Sequence, residues 1–92
     1  MTGSERYRRN PTVSETELDG EIFLVEPESA EVFYLDAISA GLWRLIAEPQ
    51  TLDETISIYQ DAFPEVDRGT VENDLKAALQ ILLERGLVDS VS

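Results

Sequence analysis

Cysteine and histidine are both missing from this 92-residue chain. Without cysteine there is no disulfide framework and no thiolate metal site. Without histidine the commonest general base and the commonest zinc ligand are gone together. Positive charge is scarce: seven Lys and Arg stand against 19 Asp and Glu, a net −12. Such a surface repels phosphate backbones and anionic lipid, and it suits cationic partners. No apolar run approaches the roughly 18 residues of a membrane span. The first ten residues are polar and basic and lack the apolar stretch of a secretory signal, so cytoplasmic residence is expected. Tryptophan occurs once, as Trp43. A ring of that area is expected in or beside the core. The length sets one domain with a small core and a stability of only a few kcal/mol.

Three of the seven basic residues, Arg6, Arg8 and Arg9, fall within the first ten positions. Residues 1–11 read as a mobile arm, with the Arg6-Tyr7-Arg8-Arg9 cluster as a small docking patch or a solvated tail. Residues 12–92 read as the domain. Thr12–Leu18 is a strand candidate with polar, edge-like character. Asp19-Gly20 fits a two-residue type I′ hairpin turn, in which both central residues need positive φ. Glu21–Val25 returns as a second strand with apolar residues on both faces, hence central to its sheet. The polar stretch Pro27–Glu31 ends it. Val32-Phe33-Tyr34-Leu35 is the third strand of an antiparallel meander.

Three helices follow. Asp36 or Ser39 caps the first, which places Ile38, Leu42, Leu45 and Ile46 on one face, with Trp43 beside them, and stops at Pro49. Thr51-Leu52-Asp53-Glu54 is a capping box opening a second helix to about Asp61, with Leu52, Ile56 and Tyr59 inward. Asp67 or Thr70 begins a third helix that runs to Arg85, and Gly86 supplies a left-handed cap. Leu87-Val88 leaves as an apolar pair pinned to the sheet or the helix end. The order β-β-β-α-α-α describes an α+β domain of winged helix-turn-helix layout, with a three-stranded antiparallel sheet followed by a three-helix bundle.

On the third helix, Val71, Leu75, Ala78, Leu79 and Leu82 cluster within about 100° and form the core stripe. Ala77 and Ile81 lie on its flank, near Asn73 and Asp74. One reading buries this helix on two sides. The other makes Ala77, Ala78 and Ile81 the floor of a shallow groove whose opposite wall is the third strand. At a sheet edge, that strand offers unpaired N–H and C=O groups to an extended peptide, which then adds to the sheet.

Catalytic constellations are absent. The acidic pairs Asp53/Glu54, Glu65/Asp67 and Glu72/Asp74 read as solvated faces. No calcium-loop or phosphate-cradling glycine spacing occurs. No enzyme activity, cofactor or metal is expected. Nucleic acid is excluded on charge, since Lys76 and Gln80 on the third helix's outer face stand against Glu72 and Glu84.

Several runs together resemble the PqqD-like family, the small proteins of pyrroloquinoline quinone biosynthesis and related RiPP recognition elements. They are Tyr34-Leu35-Asp36, Ala40-Gly41-Leu42-Trp43, Leu45-Ile46, Thr51-Leu52-Asp53-Glu54, Phe63-Pro64-Glu65-Val66, Asp74-Leu75, and Leu82 through Val88. The likeness covers about Arg6 to Val88. Asp36 stands where the family usually has asparagine, which alters the charge near the peptide edge. The resemblance implies a non-enzymatic chaperone for the leader segment of a ribosomally made precursor peptide. It implies presentation of that leader to a tailoring enzyme such as a radical-SAM protein, or to a leader peptidase in lasso-peptide systems. By the same analogy, Val32, Phe33, Tyr34 and Leu35 give backbone bonds, and Phe33, Asp74, Ala77, Ala78 and Ile81 give side-chain contacts. The alternative from another class is an acidic winged-helix scaffold or regulator that homodimerises through its edge strand.

Overall fold

The computed structural model describes residues 5–91. Its elements in chain order are β1 (Arg6–Arg9), β2 (Ser14–Leu18), β3 (Glu21–Val25), β4 (Val32–Leu35), α1 (Ala37–Leu45), β5 (Gln50–Thr51), α2 (Leu52–Ala62), α3 (Arg68–Glu84) and β6 (Val88–Val91). The expected meander is there, in the order β2-β3-β4 and antiparallel throughout, with β3 central. Asp19 and Gly20 have φ of 53° and 82° and join Leu18 to its partner Glu21, as the type I′ turn requires. The β3–β4 turn closes differently. Ala30 sits at φ 59°, and its N–H donates to the Glu26 carbonyl at 2.7 Å.

The helix boundaries follow from their caps. The Asp36 carboxylate accepts from the Ser39 N–H at 2.8 Å, so Asp36 is the cap of α1 and Ser39 lies inside the helix. Thr51 and Glu54 close the capping box of α2 with bonds of 3.1 and 2.8 Å. Asp67 caps α3 through the Thr70 N–H. At the far end of α3, Gly86 has φ 72°. Its N–H donates to the Leu83 carbonyl, and that of Leu87 donates to the Leu82 carbonyl, which together make a Schellman motif.

The chain differs from expectation at its ends. Of the arm read over residues 1–11, positions 1–4 lie outside the described residues, and Arg6–Arg9 is a strand. It is the middle of a second antiparallel sheet of order β5-β1-β6, pairing Arg6 with Val91 and with Thr51. The physical reason lies in what Arg9 reaches. Its Nε donates to the Trp43 carbonyl at 2.9 Å, and its guanidinium lies 4.8 Å from the centre of the Trp43 ring. The Trp43 indole N–H in turn donates to Glu15 at 2.8 Å. A buried indole needs such a partner. This arrangement ties β1 and β2 to α1. The strand expected from Thr12 starts at Ser14, because Asn10 folds the preceding residues into a turn by accepting from the Thr12 N–H at 3.0 Å. The Leu87-Val88 pair is buried, and Val88 opens β6.

One cluster forms the core. Ile22 and Leu24 of β3 and Leu35 of β4 meet Leu42, Trp43 and Ile46 from the α1 region and Ile56 of α2. The buried residues of α3 are Val71, Leu75, Ala78, Leu79 and Leu82, the stripe the 3.6-residue period selects. Among the described residues no helix is long and apolar enough to cross a membrane.

Candidate functional site

The antiparallel pairing rule identifies which backbone groups of β4 are free. Glu26 donates its N–H to Glu31 across the β3–β4 turn, so Glu26 and Glu31 are a hydrogen-bonded pair. Hydrogen-bonded and non-bonded pairs alternate along an antiparallel ladder. Given the register, Phe33 opposite Leu24 and Leu35 opposite Ile22 therefore bond to β3. The N–H and C=O groups of Val32 and Tyr34 point away from the sheet. β4 is an edge strand. Neither Val32 nor Tyr34 takes part in the backbone bonds outside the ladders among the described residues.

Side chains alternate in the opposite sense to solvent. Leu35 is buried and Phe33 is half-buried, both on the core side, whereas Val32 and Tyr34 are more than half exposed, at 62% and 56%. Tyr34 packs its ring 5.5 Å from that of Phe23 on the outer face. The Glu21 carboxylate pushes the Tyr34 phenol above its ordinary pKa, first as a hydrogen-bond partner and then as a charge.

Beside this edge runs a cleft of about 510 Å³, lined by Glu31 through Asp36, by Ser39, and by Ile81, Leu82, Arg85 and Leu87. It continues into a second hollow of about 260 Å³ between Asp36, Ile38 and Ser39 on one side and Asp74, Ala77, Ala78 and Ile81 on the other. Asp36, Ser39 and Ile81 line both, so the two are lobes of one groove. Every expected peptide contact lines it: Val32, Phe33, Tyr34 and Leu35 in the first lobe, Asp74, Ala77 and Ala78 in the second, and Ile81 in both. Ala77 is exposed and Ile81 is 51% exposed, so the face beyond the core stripe is open rather than packed. Ala78 serves both core and groove, at 6% exposure.

Seven lining residues were not among the expected contacts, and three of them, Asp36, Ser39 and Arg85, bear most on the groove. Asp36 was expected as a helix cap whose charge lies near the peptide edge, and its position between β4 and α1 places it on the wall of both lobes. Ser39 lies one turn further on. Arg85 extends the stripe Asp74, Ala77, Ala78, Ile81 by one more turn, a signal the 3.6 period carried. Its guanidinium carbon lies 5.2 Å from the Phe33 ring centre. Near the other end, burial raises the pKa of Tyr59, and the charges of Asp74 and Asp36 raise it further, so both carboxylates act on one phenol. Among the described residues no cluster of three metal-ligating side chains occurs.

An edge with vacant amides, a groove beside it and small residues on the floor is the geometry of strand addition. Comparison with known proteins agrees with that geometry. The family model described as coenzyme PQQ synthesis protein D (PqqD) matches residues 21–88. The chain belongs to the PqqD family. The match runs from β3 to the start of β6 and contains the whole groove. No curated protein matches the chain. Among solved structures, the chain is similar to TbiB1 in complex with the TbiA(beta) leader peptide, at 28% identity and a TM-score of 0.79, over 92% of this chain and 98% of that one. It is similar in fold to a lasso peptide synthetase B1 complexed with the leader peptide, at 22% identity and TM-score 0.76, over 90% and 96% of the two chains. It is likewise similar in fold to the PqqD truncation of Methylobacterium extorquens PqqCD, a RiPP recognition element, at 20% identity and TM-score 0.74, over 95% and 92%.

Proposed function

We propose that this protein binds the leader segment of a ribosomally synthesised precursor peptide as an added strand on β4 and presents it to a tailoring enzyme. The observation that carries the proposal is the unpaired β4 edge beside the groove floored by Ala77, Ala78 and Ile81. Main-chain bonds from Val32 and Tyr34 supply affinity that is indifferent to sequence. The groove selects alternate side chains of the guest, because successive residues of a strand face opposite sides. Two of the three similar structures are complexes with leader peptides, which favours the same reading. The chemistry belongs to the partner enzyme, a radical-SAM protein or a leader peptidase. The protein's part is to hold the guest extended.

Calorimetric titration with the precursor peptides encoded by neighbouring genes tests this. Saturable one-to-one binding by one of them is expected. Heat of dilution alone from all of them would remove the proposal. A proline scan of the binding peptide tests the mechanism. Proline lacks the donor that the ladder needs. Affinity should fall at the positions opposite Val32 and Tyr34 and hold at the intervening ones. A flat profile would rule out strand addition.

A further inference from the structure

The groove is electrically polar along its length. On α3 the residues Asp74, Ala77, Ala78 and Ile81 form one stripe on one helix face, and Arg85, the C-cap four residues after Ile81, continues it. Apolar and small residues occupy its middle, a carboxylate one end and a guanidinium the other. β4 repeats the arrangement in reverse. Arg85 sits over Phe33, near the start of the strand, and Asp36, directly after its last residue, shares a lobe with Asp74. One end of the groove therefore carries two carboxylates, and the other carries the Arg85 guanidinium with the Glu31 carboxylate on the same wall. Arg85 makes no ion pair among the described residues, although the chain has 19 acidic side chains. Lys76, on a different face of the same helix, does pair, with Glu72 at 3.9 Å. Glu31 lines the Arg85 end, but its carboxylate accepts from Ser29 rather than from the guanidinium.

We infer that the guest is a dipolar segment running antiparallel to β4, with a Lys or Arg on the N-terminal side of its apolar stretch and an Asp or Glu on the C-terminal side. This inference rests on the leader-binding reading above and names the chemistry of the ligand. The direction follows from the charges. An antiparallel guest starts beside Asp36 and Asp74 and ends beside Arg85. It also continues a sheet whose pairings are all antiparallel. From Asp74 to Arg85 the helical rise is about 16 Å, and at about 3.4 Å per extended residue the two guest charges sit roughly five residues apart. A parallel guest of the same composition would meet like charges at both ends.

The test is selection of a displayed random dodecapeptide library on the full chain and on two exposed-site variants, Asp74→Lys and Arg85→Glu, each first shown by circular dichroism to fold as the parent does. On the parent, selected peptides should share an alternating apolar stretch flanked by a base before and an acid after it. Exchanging those two charges in a selected peptide should weaken binding about tenfold at low salt, and less as salt rises. Asp74→Lys should abolish the basic preference, and Arg85→Glu should abolish the acidic one. Alternating apolar peptides without charge bias would overturn the dipolar assignment and leave strand addition standing. The opposite bias would overturn the direction. Failure to enrich any extended apolar peptide would count against leader binding itself.

Discussion

The guanidinium carbon of Arg85 lies 5.2 Å from the centre of the Phe33 ring, so the C-terminal cap of α3 covers the core-facing side of the edge strand. That contact closes one end of the groove, and the small side chains at Ala77 and Ala78 open the other. A large ring at an exposed floor position should therefore fill the site without disturbing the core. Ala77→Trp is expected to abolish leader binding in calorimetry. It should change urea-unfolding stability by no more than about 0.5 kcal/mol, as for substitutions at exposed sites generally. Loss of stability of several kcal/mol would mean that Ala77 is packed.

Arg9 is a second place where the fold makes a definite demand. It donates to the Trp43 carbonyl and stacks on the Trp43 ring. Arg9→Ala should cost about 1–2 kcal/mol from the lost charged hydrogen bond and cation–π contact. It should also alter the fluorescence of Trp43, the sole tryptophan. A mobile arm would give neither effect.

Ala30 adopts φ 59° with a β-carbon in the left-handed region. That conformation costs an L-residue roughly 1–2 kcal/mol, and glycine avoids the cost at some expense in chain entropy. Ala30→Gly should raise stability by about 0.5–1 kcal/mol in chemical unfolding, without altering the β4 edge. A decrease would show that the turn is not strained.

Glu54 gives the pH dependence. Its carboxylate accepts from the Thr51 N–H, and that bond holds its pKa below the ordinary range. A carboxyl with a lowered folded pKa contributes stability above its unfolded pKa, and that contribution is lost as pH falls through the folded value. The thermal midpoint of the parent should therefore exceed that of Glu54→Gln near neutral pH, and the gap should close in acid. A gap independent of pH would deny the charged capping bond.

Local signals explain what was legible in the sequence. The Asp19-Gly20 turn, the Thr51/Glu54 box, the Gly86 cap and the α3 stripe each depend on residues within a few positions of one another, and the structure shows all four. The groove followed because Ala77 and Ile81 fall outside that stripe. The β5-β1-β6 sheet was not legible. It joins Arg6 to Val91 and to Thr51 across most of the chain. Its middle strand, Arg-Tyr-Arg-Arg, has no apolar alternation beyond Tyr7. Long-range pairing of short polar strands leaves no period to detect. Arg85 was missed as a wall residue for a related reason. Its position at the helix end explains it locally, and only the meeting of β4 with α3 shows that it and Asp36 bring charge to one groove.

The central claim is that the β4 edge is vacant until a guest pairs with it, and amide hydrogen exchange by NMR tests it most directly. In the free protein the amides of Val32 and Tyr34 should exchange quickly and those of Phe33 and Leu35 slowly. On saturation with the bound leader peptide, Val32 and Tyr34 should become protected while Phe33 and Leu35 change little. Protection of Val32 and Tyr34 already present in the free monomer, or no gain in protection with the peptide bound, would contradict the account.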